Sequence, residues 1–144
     1  MTHGQQRLAQ GLTYAGALPL VLSALALTLG YVPPTGATWL CMTYSAVILS
    51  FLSGIHWACS LFFAAQCPRN LLLTSNIVAL LAWLSLLAMD SPWAMLLQIG
   101  CFLYLLVLDA KLHIVGLLPC WFFALRRNVT TLVVLMLCTV MGQL

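Results

Sequence analysis

Five long apolar stretches, each near the length that crosses a hydrocarbon core about 30 Å thick as a helix, occupy most of this chain. They run from 11 to 32, 37 to 65, 71 to 89, 93 to 109 and 119 to 141, joined by short links. Hydrocarbon offers no partner to a peptide group, so a chain of this kind must satisfy its backbone within helices or a closed barrel. Strict alternation of apolar and polar residues, which a barrel strand needs, is missing here, so the stretches are read as helices. The expected fold is an all-α integral membrane bundle, one domain over residues 1–144, with consecutive helices antiparallel.

Charge supports the same reading. Hydrophobic residues make up 64% of the 144 and charged residues 5%, where a soluble domain carries about a quarter. Five Lys or Arg and two acidic residues cannot cover a water-facing surface. Such a composition excludes a disordered chain, a nucleic-acid binder with a basic face, and an enzyme built on paired carboxylates. Arg7, Arg69, Lys111, Arg126 and Arg127 all fall on one side of the expected spans, and Asp90 alone falls on the other. The positive side faces the cytoplasm, so the N-terminus is expected inside and the C-terminus outside. Tyr31, Trp39 and Trp93 then mark the outer interface, and Trp121, Phe122 and Phe123 the inner one. The segment before the first span is short for a targeting peptide and that span is long for a signal-peptide core. A bacterial cytoplasmic membrane is the simplest expected home.

Polar side chains inside a span carry the most information, because each costs free energy unless it finds a partner. The second span carries Thr43, Ser50, Ser53, His56 and Ser60 on one broad arc, with Ala46, Gly54 and Trp57 close by. A small and polar stripe of this kind faces other helices. Depth along each helix then places His56, Asn76, Asp109, Arg126 and Arg127 in the cytoplasmic half of the bilayer, with Tyr14 near. Asp109 is expected at the end of the fourth span, where a carboxylate opposes the helix dipole and calls for a cation. Lys111, Arg126 and Arg127 are the candidates. On the outer side, Gln98 is the one strongly polar residue within a span.

The polar layer of His56, Trp57, Asn76, Asp109, Arg126, Arg127, Ser53 and Ser60 has two readings. It is a network that fixes helix order, or a chamber for a polar or anionic ligand. The remaining chemistry is sparse. Six cysteines include no C-x-x-C pair. Pairing of Cys41 with Cys138 stays open. Only His56 of the three histidines is expected within a span, so two axial haem ligands at one depth are lacking. Neither a metal site nor a cofactor is expected, and no catalytic residue is assigned.

Several strings in the chain resemble the transmembrane protein 69-like family. They are Tyr44 through Trp57, ending Gly54-Ile55-His56-Trp57; Leu108-Asp109; Gly116-Leu117-Leu118-Pro119-Cys120-Trp121; and Leu125-Arg126 leading to Thr130-Thr131-Leu132. Ser53 stands where that resemblance calls for a glycine. The resemblance implies a small multi-span protein of bacterial or mitochondrial inner membranes with no assigned activity. It adds weight to His56, Trp57, Asp109, Pro119, Trp121 and Arg126. Three functions fit these observations: an accessory or assembly partner of a larger membrane complex, a small carrier or channel using the polar layer, and an enzyme acting on lipid or quinone. The bilayer is the one certain partner on this reading, with a larger complex or a homo-oligomer beside it.

Overall fold

The computed structural model describes residues 2–89 and 91–143. Asp90, the lone charge expected on the far side, lies outside the described residues. Five helices follow in order: α1 (His3–Thr28), α2 (Pro34–Phe62), α3 (Leu71–Leu86), α4 (Pro92–Ile114) and α5 (Cys120–Met141). No strand occurs among the described residues. Four of the helices are long and apolar enough to cross a membrane, which points to a multi-pass membrane protein. The exception is α3, with 16 residues and a length of about 24 Å at 1.5 Å per residue. It stops at Leu86, short of the expected 89.

Helix ends follow local chemistry. At α1 a capping box opens the helix, with the Thr2 hydroxyl accepting from the Gln5 N–H and the Gln5 side chain accepting from the Thr2 N–H. Arg7 is therefore helical, eight residues having joined α1 ahead of the expected start at 11. The helix ends in a Schellman turn: Gly30 sits at φ +76°, the Tyr31 N–H donates to the Ala26 carbonyl and the Gly30 N–H to that of Leu27. Prolines open the next helices. Pro34 and Pro92 lie in the first turns of α2 and α4, where a missing N–H costs nothing, and Pro119 caps α5.

The end of α4 departs from expectation. Nothing between Ala110 and Ile114 breaks a helix, so α4 runs on to Ile114 and closes at Gly116, whose φ is +81°. Asp109 is thus more than one turn inside the helix rather than at its C-terminus, and the dipole argument for its cation partner does not apply. His113 likewise falls within α4. Its Nδ1 lies 2.8 Å from the Leu118 carbonyl and its ring stacks on Phe123, which fastens the turn into α5.

In the bundle α2 touches all four other helices, and α1 and α5 close the ring with α4 and α3. The sequence of α2 permits that central place. Ala37, Cys41, Ser45, Ala46 and Ser53 are small and buried, so neighbouring backbones approach closely. Leu20, Met42, Leu49, Phe102, Leu105 and Leu137 fill the interior, while Val47, Phe51, Trp83 and Trp93 face outward.

Candidate functional site

Two buried polar layers cross the bundle. The first is centred on Asp109 of α4, which is 2% exposed. His56 Nε2 of α2 lies 2.9 Å from its Oδ1, and Arg126 Nε of α5 donates to its Oδ2 over 2.9 Å. One carboxylate therefore joins three helices. His56 and Arg126 are themselves buried. A guanidinium and an imidazole around one carboxylate in an apolar interior meet the requirement that a buried charge be paired.

The His56 ring has a further consequence. Its Nδ1 lies 3.0 Å from the Leu52 carbonyl while Nε2 meets the carboxylate, so both nitrogens face oxygen. A neutral imidazole donates through one nitrogen only. Arg126 also retains unused donors: its Nη2 is buried and has no hydrogen-bond partner among the described residues.

The second layer is neutral and centred on Gln98 of α4, which is fully buried. Its Nε2 donates to the Met42 carbonyl at 3.1 Å and to Ser85 Oγ of α3 at 2.8 Å, and its Oε1 accepts from Ser45 Oγ of α2. Every polar atom of the amide has a partner. Ser45 to Gln98 and His56 to Asp109 share a separation of 53 residues. A constant offset is what two parallel helices require, and it puts the layers eleven residues, about 16 Å, apart.

Of the residues singled out from sequence, His56, Asp109 and Arg126 meet. Ser53, Trp57 and Asn76 do not join them. They line a separate cleft of about 230 Å³ between α2 and α3, together with Ser50, Gly54 and Ser75. There Ser53 Oγ donates to its own helix at Leu49, and the exposed Asn76 donates to Leu72. Ser60 donates to the Trp57 carbonyl, and Arg127 is exposed. Adjacent residues on a helix point about 100° apart, so once Arg126 turns inward Arg127 must turn out. Lys111 is exposed and makes no ion pair with Asp109. Tyr14 is half exposed; it is Tyr44 whose hydroxyl crosses helices, donating to the Gly16 carbonyl at 2.7 Å. Sequence reasoning missed Ser45 and Ser85. Their signal was present: each is a hydroxyl in a span at the depth of Gln98.

A second cleft, of about 390 Å³, lies between α1, α2, α4 and α5, and Arg126 and Thr130 line it. The six cysteines are all free, Cys41 and Cys138 included. No group of three metal-ligating side chains gathers among the described residues.

A bundle of apolar helices locked by buried polar layers defines the class. Within it, the chain matches over residues 5–142 the model of a family described as a protein of unknown function (DUF3429), and it belongs to that family. No curated protein and no solved structure matches it.

Proposed function

We propose that the chain is a non-enzymatic integral membrane protein serving as an accessory or assembly partner of a larger membrane complex. The observation that carries this reading is the use made of the buried polar groups. Asp109 and Gln98 each bridge three helices, so the interior polarity fixes helix order. The outer surface is left apolar, with Trp39, Trp57, Trp83 and Trp93 exposed for contact with lipid or another protein. We place the N-terminus in the cytoplasm, the C-terminus outside and the protein in the bacterial inner membrane, as a transmembrane protein 69-like chain. Arg7, Arg69, Lys111, Arg126 and Arg127 support this orientation, since the helix directions gather them toward one end. The test is purification of the tagged full-length chain in a mild detergent. Recovery in stoichiometric amounts with a larger complex is expected, and isolation only as a monomer or homo-oligomer overturns the reading.

The carrier or channel reading rests on a different observation, the polar lining of the α2–α3 cleft by Ser50, Ser53, Ser75 and Asn76. It predicts that a cysteine introduced at Ser53 reacts with a membrane-impermeant maleimide in intact cells or vesicles. Complete protection in both orientations removes it.

A further inference from the structure

The cleft between α1, α2, α4 and α5 presents a contradiction in polarity. Its walls are apolar, with Gly16, Ile48, Leu52, Phe102 and Val133 among them. Yet two of its lining side chains hold buried polar atoms with no partner among the described residues, Arg126 Nη2 and Thr130 Oγ1. Arg126 is 6% exposed and Thr130 2%. The pair lies one helical turn apart, so both belong to one face of α5.

Thr130, like Thr38 of α2, departs from the other threonines within the helices. Thr13, Thr43, Thr74, Thr131 and Thr139 each donate to the carbonyl four residues earlier in their own helix. Thr130 has the same option at Arg126 and does not take it. Its hydroxyl and the Arg126 guanidinium stand one turn apart on the same face of α5, and both residues line the cleft. Leaving such donors unmet in an apolar interior is costly.

We infer that this cleft binds an oxyanion carried on an acyl chain, with the head on Arg126 Nη2 and Thr130 Oγ1 and the chain leaving between α1 and α2. The chemistry follows from three observations. A guanidinium with free donors matches a carboxylate or phosphate oxygen. The guanidinium carries a fixed positive charge, and the carboxylate it meets is shared with His56. The lip of the cleft is made by Leu12, Val47 and Phe51, all of them exposed, so the opening faces hydrocarbon rather than water. A molecule entering there is already dissolved in the bilayer. The volume of about 390 Å³ lies within the range of small-molecule sites, roughly 300–1,000 Å³. The inference stands independently of the accessory reading.

Two sources supply such a ligand: a free fatty acid and an anionic phospholipid. The experiment uses the full chain in phosphatidylcholine nanodiscs and measures equilibrium binding of oleate, dioleoylphosphatidylglycerol and methyl oleate. Saturable one-to-one binding is expected for at least one of the first two. Oleate alone identifies the carboxylate as the head, and the phospholipid alone identifies the phosphate. Methyl oleate keeps the chain and loses the charge, and is expected to bind at least tenfold more weakly. Thr130→Val removes only the hydroxyl and is expected to weaken binding about fivefold, the worth of one neutral hydrogen bond. Gly16→Leu projects into open space in the cleft and is expected to abolish binding. Gly100→Leu, which fills a separate groove between α3 and α4, leaves it unchanged. Melting temperatures of the variants confirm that each is folded, and Thr130→Val carries the test should Gly16→Leu fail to fold. The inference is overturned by an absence of saturable binding, which water as the sole occupant predicts, by methyl oleate binding as tightly as oleate, or by Thr130→Val binding as the wild type does. None of these results bears on co-purification with a complex.

Discussion

The Gln98 layer and the Asp109 layer sit on the same pair of parallel helices, one about three turns from the other. Each recruits a third helix, α3 in one case and α5 in the other. They differ in completeness. The neutral layer gives every polar atom of its amide a partner; Ser85 accepts from the amide and donates to Ala82, and the single hydroxyl proton of Ser45 is shared between Gln98 Oε1 and its own helix at Cys41. The charged layer satisfies its carboxylate and leaves guanidinium donors over. A closed neutral network has nothing further to offer a ligand, so its work is to hold three helices in register. A charged network with spare donors beside an apolar cleft does the same work and keeps a capacity to bind.

That contrast can be broken experimentally, and the largest effect is expected at Asp109. Asp109→Asn leaves His56 and Arg126 buried without their shared anion, and breaking a buried pair from one side costs about 3–5 kcal/mol. A large drop in melting temperature in detergent, or loss of the protein from the membrane fraction, is the expected result. An unchanged melting temperature means that Asp109 does not hold the bundle together. Exchanging the pair, with Asp109→Arg and Arg126→Asp, is expected to recover only part of the loss, since His56 then faces a guanidinium.

Gln98→Leu is expected to be milder, about 1–2 kcal/mol, because Ser45 and Ser85 keep their bonds to their own helices and interhelical hydrogen bonds in membranes average about 0.6 kcal/mol. A loss equal to that of Asp109→Asn erases the distinction between the two layers. Combining it with Ser45→Ala and Ser85→Ala is expected to cost little more, since each serine then gives up only the bond to its own helix.

Thr130→Val sharpens the comparison from the other side. Its hydroxyl is buried with no partner among the described residues, so without added amphiphile its removal is expected to leave stability unchanged or to raise it by about 1 kcal/mol, read by thermal unfolding. A large destabilisation means that the hydroxyl is satisfied inside the bundle after all. The smallest effect is expected for Arg127→Gln and Asn76→Ala, both at exposed positions, where melting temperature is expected to remain at the wild-type value.

Much of the fold was legible in the sequence because its causes are local. Apolar runs, Gly30, Pro34, Pro92, Gly116 and Pro119 each act on a few neighbouring residues, and the five helices follow from them. The end of α4 is the exception, because a charged residue in an apolar run resembles a boundary. Asp109 reads as a helix end, yet a carboxylate stays within an apolar helix when a guanidinium and an imidazole on other helices meet it. The site was legible in part. Depth along the helices put His56, Asp109 and Arg126 at one level, and they do meet. It also put Asn76 there, which faces away, because depth carries no information about rotation around the helix axis.

The amino-acid chain alone determined that this protein folds as apolar helices suited to hydrocarbon, since too few charges exist to solvate any other arrangement and each peptide group must be satisfied within its own segment. Only the tertiary structure decided which polar residues are partners. The packing of small residues on α2 sets the rotation and register of its neighbours, and through them the 53-residue offset that brings Gln98 to Ser45 and Asp109 to His56. The same rotation turns Arg126 inward and Arg127 out, a choice between adjacent arginines that composition and hydropathy leave open.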